Sequence, residues 1–420
     1  MRILWLKTEL LHPVDKGGKI RSYNMLKSLK RDNHITYLTL DDGTAAANAL
    51  ELANEYCDEL VYIPRRQREK FTTRFYVDLM INVASGLPYA IKKYESDAMR
   101  IEVAKRIADG GFEVLVCDFL APAVNMPPSL NCALVLFQHN VEAMIWKRHY
   151  EVQTNSAKKA YLFRQWQKMR AFEAKACAMF DCVAAVSRED RDMMRREYAI
   201  ENVYDIPTGV DTSFFQPSRR VEYLPHRLVF TGSMDWLPNE DAIRYFTEQI
   251  MPRIKKEVPG VTLTVVGRNP YPSLVELSKR DASVTVTGRV DDVRPFIEES
   301  AVYIVPLRIG GGTRLKIYEA MAMEKAIVST SIGAEGLPVV DGQEIVLADT
   351  PESFAEAVVR LLHRHDLATE IGKRAAARVR AEFGWDAVAE SFAAICERAI
   401  SMQTWPAVAA NQNFGRTYCQ

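Results

Sequence analysis

"VYDIPTGVDTSFFQP", residues 203–217, is the stretch on which the fold turns. Short apolar runs alternate with longer helical patterns before it, and the same alternation restarts after it. Upstream, "RILWLK" leads through a glycine turn into the helical pattern "GGKIRSYNMLKSLKR" and then into "HITYLTL". "VLVCDF", "ALVLFQ" and "CVAAVS" are further strand candidates, mostly without period-two alternation, as in a parallel sheet covered on both faces. Helical patterns at 94–108, 141–178 and 188–198 separate them. Downstream, "RLVFTGSM", "TLTVVGR", "VTVTGRV", "AVYIVPL", "AIVST" and "EIVLAD" read as strands, with helices at 239–257, 273–279, 291–299, 313–324 and 352–362. A long helical end covers 366–400, and the last twenty residues look irregular. Two such α/β blocks joined by a Pro/Gly/Asp turn, with a linker near 205–220, predict two doubly wound, Rossmann-like domains facing across a cleft. Ligands of open parallel sheets bind outside the carboxyl ends of the strands, so the site is expected in that cleft.

Length and composition agree with this. A chain of 420 residues exceeds one ordinary core and suits two domains. Its 48% hydrophobic and 26% charged residues are those of a soluble globular protein. Fifty-four basic residues balance fifty-four acidic ones, so no global field argues for nucleic acid, and any anion site must be local. Seven cysteines (57, 117, 132, 177, 182, 396 and 419) form no CxxC pair and read as reduced, buried thiols. The N-terminal apolar run is too short and too charged for a signal peptide, and no run of about 18 apolar residues occurs. A cytoplasmic protein is the expectation.

The chemistry concentrates in "RIGGGTRLKIYEAMA", residues 308–322. A strand runs into Gly310, Gly311 and Gly312, and Thr313 is placed to cap the helix that follows. Backbone N–H groups at such a helix start cradle an anion. Arg314 and Lys316 add cations where the macrodipole is already positive, which calls for an anionic guest. A Walker A loop cannot be laid on "GGGTRLK", and Leu315 stands where the dinucleotide fingerprint needs its third glycine. A phosphate or diphosphate is the expected guest; a flexible turn with solvated cations is the alternative. Gly17 and Gly18 open a second glycine-led helix, with Lys19 and Arg21 in its first turn, which suggests a diphosphate held from both domains. Glu319 either pairs with Lys316 on an exposed helix or accepts hydrogen bonds from two ribose hydroxyls. His139 follows a buried strand and is either structural or directed into the cleft.

From "GGKIRSYNMLKSL" through "FDCVAAVSRED" and "DIPTGVDTSFF" to "YEAMAMEKAIVSTSIGAEGL", the chain resembles the GT-B-fold retaining glycosyltransferases of family 4, in the flavour of bacterial exopolysaccharide-type sugar transferases. The resemblance implies an acceptor-binding domain at 1–207, a nucleotide-sugar domain at 208–385, and a C-terminal helix within 386–420 crossing back to the first. It implies transfer of a hexose from a UDP- or GDP-sugar to a glycan or lipid-linked acceptor, with retention of anomeric configuration and without a metal or other cofactor. Glu319 matches the second glutamate of the family's Glu-x7-Glu motif, which holds the ribose. Gly17 and Gly18 match the loop near the diphosphate, and Gly232 in "FTGSM" the glycine beside the phosphates. His139 matches the histidine facing the donor sugar. Arg289 and Val290 fall where backbone groups hold the base.

Two positions depart from the family. Gly311 stands where the first glutamate belongs. "GSMDWLPNED" places Ser233 and about Pro238 where an arginine and a lysine are usual. Arg314 and Lys316 are therefore expected to supply the missing charge, acting as catalytic groups with His139, which orients the sugar. The family favours front-face attack with no protein nucleophile. The stretch 63–94, with Arg65, Arg66, Arg68, Lys70 and Arg74 close together, is either a solvated face or an interfacial segment on anionic lipid at the inner face of the membrane. A nucleotide-sugar epimerase, a dinucleotide-dependent oxidoreductase and a silent sugar-nucleotide binder are the rivals. The oxidoreductase lacks its glycine fingerprint.

Overall fold

The computed structural model describes residues 1–14, 17–65, 72–153, 155–218, 220–309 and 314–403. Two all-parallel sheets form. The first has seven strands: β1 (Arg2–Lys7), β2 (His34–Asp41), β3 (Glu59–Pro64), β4 (Val114–Asp118), β5 (Ala133–Gln138), β6 (Cys182–Ala185) and β7 (Val203–Asp205). Their order is β3-β2-β1-β4-β5-β6-β7. The second has β8 (Leu224–Thr231), β9 (Thr262–Val266), β10 (Val284–Val286), β11 (Ser300–Val305), β12 (Ala326–Ser329) and β13 (Val346–Leu347), ordered β10-β9-β8-β11-β12-β13. This is the GT-B arrangement of two Rossmann-like domains. The strand order reverses beside β1 and β4 in one sheet and beside β8 and β11 in the other, which opens a crevice at each set of carboxyl ends. Every residue of β4 and β11 is buried, so their continuous apolar runs face cores on both sides.

Four departures from the sequence reading matter most for the architecture. β3 is an edge strand with partly exposed residues, and its end had been absorbed into the basic stretch. The expected linker starts inside the first sheet, as β7. The helical pattern 141–178 is two helices, Glu142–Val152 and Ser156–Met179, because the side chain of Asn155 accepts the Lys158 N–H at 3.0 Å and caps the second. The long helical end is also two, His365–Glu382 and Trp385–Met402, broken at Phe383–Gly384.

That break lies where the chain crosses between the sheets. The Val210 N–H donates to the Phe383 carbonyl at 2.8 Å, and Val210 bridges Gly384, so the two crossing segments lie side by side. Only glycine fits at 209, since a Cβ there would stand 2.5 Å from the Trp385 ring. The helix Trp385–Met402 then packs on the first sheet. Its Phe392 ring centroid lies 5.5 Å from that of Trp5 and 5.1 Å from that of Phe137. The six cysteines within the described residues are free and buried; Cys419 lies outside them. No helix among the described residues is long and apolar enough to cross a membrane.

Candidate active site

Three titratable side chains meet at the carboxyl ends of adjacent strands in the first sheet. Lys7 ends β1, Asp118 ends β4 and His139 follows β5. Lys7 Nζ donates to Asp118 Oδ2 at 2.9 Å, and Trp5 Nε1–H donates to the same oxygen at 2.9 Å. His139 Nε2 stands 2.8 Å from the other oxygen, Oδ1. All three groups are buried. Burial works against the Asp118 charge, but the Lys7 ammonium and His139 outweigh it and hold the carboxyl well below the carboxylate range. Burial lowers Lys7, with Asp118 opposing. Burial also pulls His139 down to about 3 against Asp118, so its imidazole is neutral at physiological pH.

The Phe119 ring stacks on His139 with centroids 3.7 Å apart. Gly18 opens its helix so close to Phe119 that a Cβ would lie 2.6 Å from the ring. The turn carrying His139 is braced from behind by Glu173, fully buried. Its carboxylate accepts from Gln138 Nε2, from the Glu142 and Ala143 N–H groups, and from the Tyr198 hydroxyl, at 2.6–2.9 Å. A carboxylate at that helix N-terminus satisfies two otherwise orphaned donors.

A cavity of about 330 Å³ opens on this edge. Gly17, Gly18, Arg21, His139, Asp190 and, from the second domain, Leu315 are among its lining residues, so it lies between the two domains. Gly17, Gly18 and His139 thus gather around one cavity. Arg21 also donates to the Thr208 hydroxyl in the crossing segment at 2.5 Å.

Across the cleft, the helix Leu315–Ala322 starts with Arg314 at its N-cap, where no side chain caps it. The expected cap Thr313, with Gly310, Gly311 and Gly312, lies outside the described residues. Lys316 reaches under the loop that leaves β8. Its Nζ donates to Asn239 Oδ1 at 3.0 Å and sits 3.9 Å from the Phe230 ring centroid. A Cβ on Gly232 would lie 2.8 Å from Lys316 Nζ, so glycine at 232 is what admits the ammonium to the backbone there. Asn239 in turn donates to the Ser233 carbonyl at 2.8 Å and pins the loop.

Burial, helped by the neighbouring Arg314 charge, pulls Lys316 down to about 7. Burial raises Glu319 to about 7, with Lys316 opposing. Among the described residues no hydrogen bond or ion pair engages the Glu319 carboxylate, so the helix-surface pairing with Lys316 does not form. Arg314 is buried, its guanidinium 5.6 Å from the Trp236 ring centroid. Arg289 is exposed just beyond β10, and Val290 packs against the core of the second domain.

Sequence reasoning passed over four residues here. Lys7 and Asp118 were visible as charges closing apolar strands. Asn239, which holds Lys316, carried no local signal. Arg268 comes from the end of β9 and donates from Nε to Ser233 Oγ at 2.9 Å, which brings a guanidinium to the loop that lacks the family's arginine. Arg308, by contrast, is engaged by Asp241 at 2.6 Å.

Comparison with known proteins bears on the fold and the family. The model described as glycosyltransferase family 4 matches residues 22–214, and the model described as glycosyl transferases group 1 matches 225–364. A Klebsiella pneumoniae protein described as an uncharacterized 44.6 kDa protein in the cps region is 23% identical over 372 residues, 85% of this chain and 90% of that one. The MMP α-(1→4)-mannosyltransferase of Mycolicibacterium hassiacum is 26% identical over 250 residues, 57% of this chain and 59% of its own. Among solved structures, Anabaena Alr3699/HepE in complex with UDP aligns with a TM-score of 0.66 at 12% identity, covering 95% of this chain and 100% of that one. With one model on each sheet, and both sheets in GT-B order, the chain belongs to the group 1 glycosyltransferases of the GT-B fold.

Proposed function

We propose that this glycosyltransferase moves a hexose from a UDP- or GDP-sugar to a glycan or lipid-linked acceptor with retention of configuration. The observation that carries the reading is Lys316, a cation at the start of a helix, held against Gly232 and Asn239 with no carboxylate within ion-pair distance among the described residues. Burial, the helix dipole and Arg314 all oppose that charge, and a diphosphate on the Gly232 loop compensates all three. Arg314 and Lys316 then take the place of the arginine and lysine of related loops, and of a divalent cation, in neutralising the departing diphosphate. Arg268 extends the same cationic rim. Glu319, partly buried and unengaged among the described residues, suits the two ribose hydroxyls, and the backbone beyond β10 at Arg289 and Val290 suits the base. In front-face attack a donor phosphate oxygen takes the acceptor proton as the new glycosidic bond forms and the bond to diphosphate breaks. The chain then supplies binding, orientation and charge but no nucleophile.

A thermal-shift panel of UDP, GDP, ADP and their common sugars tests this. Ligand at about 100 times its dissociation constant adds about 2.7 kcal/mol of stability. One nucleotide class is expected to raise the midpoint clearly. No shift with any of them overturns the reading.

The acceptor side includes an exposed apolar face on the helix Thr73–Ala84. Met80 and Ile81 are 75% and 65% exposed, with Tyr76, Val77 and Arg74 also exposed on that helix. Arg66, Arg68 and Lys70 of the basic stretch lie outside the described residues. Apolar side chains beside cations suit an anionic bilayer, where a lipid-linked acceptor would reside. The wild type is expected to sediment with phosphatidylcholine vesicles containing phosphatidylglycerol, and Met80→Glu with Ile81→Glu to lower that binding about tenfold. Equal binding by the two proteins, or none by the wild type, sinks the membrane contact.

A further inference from the structure

The helices Glu142–Val152 and Ser156–Met179 form a hairpin that starts at the turn carrying His139. Together they hold eight basic residues and three acidic ones, in a chain of zero net charge. Lys168 and Glu173 are buried, which leaves seven cations against two carboxylates on the rest of the hairpin. Between it and the end of the helix Arg188–Tyr198 lies a groove of about 290 Å³. Lys147, Arg170 and Arg196 line it from three different helices, and Glu197 is the one carboxylate among the described lining residues.

Those cations are loosely compensated. Lys147 Nζ stands 4.0 Å from Glu151, and Arg170 Nη2 stands 3.5 Å from Glu197, both at half-exposed positions where such pairs are worth little. Among the described residues no hydrogen bond or ion pair engages Arg196. Like charges converging on a concave surface repel, and a guest with several negative charges relieves that repulsion. Trp166 also lines the groove. The Tyr150 ring stacks on it with centroids 5.8 Å apart and planes 19° apart, and Phe163 packs edge-on against it at 5.8 Å. Lys147 Nζ lies 5.7 Å from the Trp166 centroid, and Lys159 Nζ 5.3 Å from that of Tyr150. A rigid, ring-backed indole beside cations suits a sugar ring, whose C–H face packs on the indole while its polar groups stay at the edge.

A bilayer fits less well. The cations gather in a concavity, and among the hairpin's described large apolar side chains only Phe163 and Met179 are exposed. The groove also borders the site already described. Val141 and Ala143 line the groove, while His139 and Asn140 line the inter-domain cavity, so one turn separates the two.

We propose that this groove is a subsite for a polyanionic glycan. Lys147, Arg170 and Arg196 hold carboxylates or phosphates carried on its sugars, Trp166 packs against a sugar ring, and the end of the chain passes the turn 139–143 into the cavity between the domains. The acceptor is then an anionic polysaccharide, an assignment that rests on the glycan-acceptor reading above.

Hexagalacturonate and maltohexaose, α-(1→4)-linked hexamers that differ chiefly in charge, test it by calorimetric titration of the full chain. Hexagalacturonate is expected to bind, and maltohexaose to bind at least about tenfold more weakly. Arg170→Glu with Arg196→Glu should weaken hexagalacturonate at least about tenfold and leave the affinity for UDP or GDP within about twofold. Lys158→Glu with Lys175→Glu makes the same change of charge on exposed positions of the hairpin outside the groove, and should cost less than about threefold. Equal losses in the two double variants mark diffuse attraction and overturn the subsite. Trp166→Leu should weaken hexagalacturonate about tenfold but inorganic tripolyphosphate less than about twofold. Equal losses for the two ligands overturn the glycan assignment, and the exposed double variants decide the matter should Trp166→Leu unfold. No binding of hexagalacturonate by the wild type overturns the proposal. So does sedimentation with phosphatidylglycerol vesicles that Arg170→Glu with Arg196→Glu abolishes, which would give the groove to a bilayer. Nucleotide binding keeps the two readings apart: a failed groove in a protein that binds UDP or GDP leaves sugar transfer standing, and glycan binding without nucleotide binding leaves the groove standing alone.

Discussion

Lys316→Ala is expected to transfer sugar at least about a hundredfold more slowly than the wild type. Cleaving the bond between sugar and diphosphate develops negative charge on the leaving group, and only interactions stronger in that state than in the ground state accelerate the step. Removing one donor aimed at developing charge in a water-poor site costs roughly 10²–10³ in turnover. Lys316 meets the conditions for such a donor. Its ammonium is carried on a packed helix, anchored by Asn239 and admitted to the loop by the missing Cβ of Gly232. The effect is separable from folding. A buried cation with no anionic partner among the described residues contributes little to the unliganded fold, so Lys316→Met should unfold at the same temperature as the wild type or higher. Turnover of Lys316→Ala within about threefold of wild type, well under ~1 kcal/mol of barrier, overturns the relocated charge. A lower midpoint for Lys316→Met would instead make Lys316 a structural strut.

The alternation on either side of residues 203–217 was enough to read two parallel-sheet domains, because strands buried on both faces leave unbroken apolar runs. β3 and β7 escaped because edge strands are short or half exposed, and the local pattern that marks a central strand is absent there. The helix break capped by Asn155 and the one at 383–384 depend on that cap and on the crossing with residue 210, contacts that periodicity does not register. In the site, glycine loops and the cations after them were legible because a helix N-terminus has a local signature. The loop that holds Lys316 was not. Asn239 lies 77 positions from its partner, and Ser233 lies 35 from Arg268, so only the assembled sheet brings either pair together. Lys7 and Asp118 lay between these cases. Each was conspicuous as a charge at the end of an apolar strand, yet their pairing across 111 positions needed β1 and β4 to be neighbours.

Sugar-nucleotide binding at pH 8 is expected to take up close to one proton, with affinity falling by as much as tenfold per pH unit between 7 and 9. In the free protein burial holds Lys316 at about 7, below its ordinary 10.5, so at pH 8 most molecules carry it neutral. A diphosphate against the amine raises that value, and the protonated form is the one that binds. By linkage, the ligand then draws a proton from solvent wherever the pH exceeds the free value and lies below the bound one. The donor contributes no proton of its own, because a diphosphate esterified at both ends has no group titrating near neutrality. Glu319 has the opposite sign. It is also held at about 7, and ribose hydroxyls favour its ionised form, so it releases a proton mainly below pH 7 and little at pH 8. Calorimetric titration at pH 8 in two buffers of different ionisation enthalpy counts the protons directly. Uptake near one in the wild type and near zero in Lys316→Met places the titrating group on this helix. No uptake in the wild type means that the amine is charged before the donor arrives, and the cleft then holds an anion site already compensated from elsewhere.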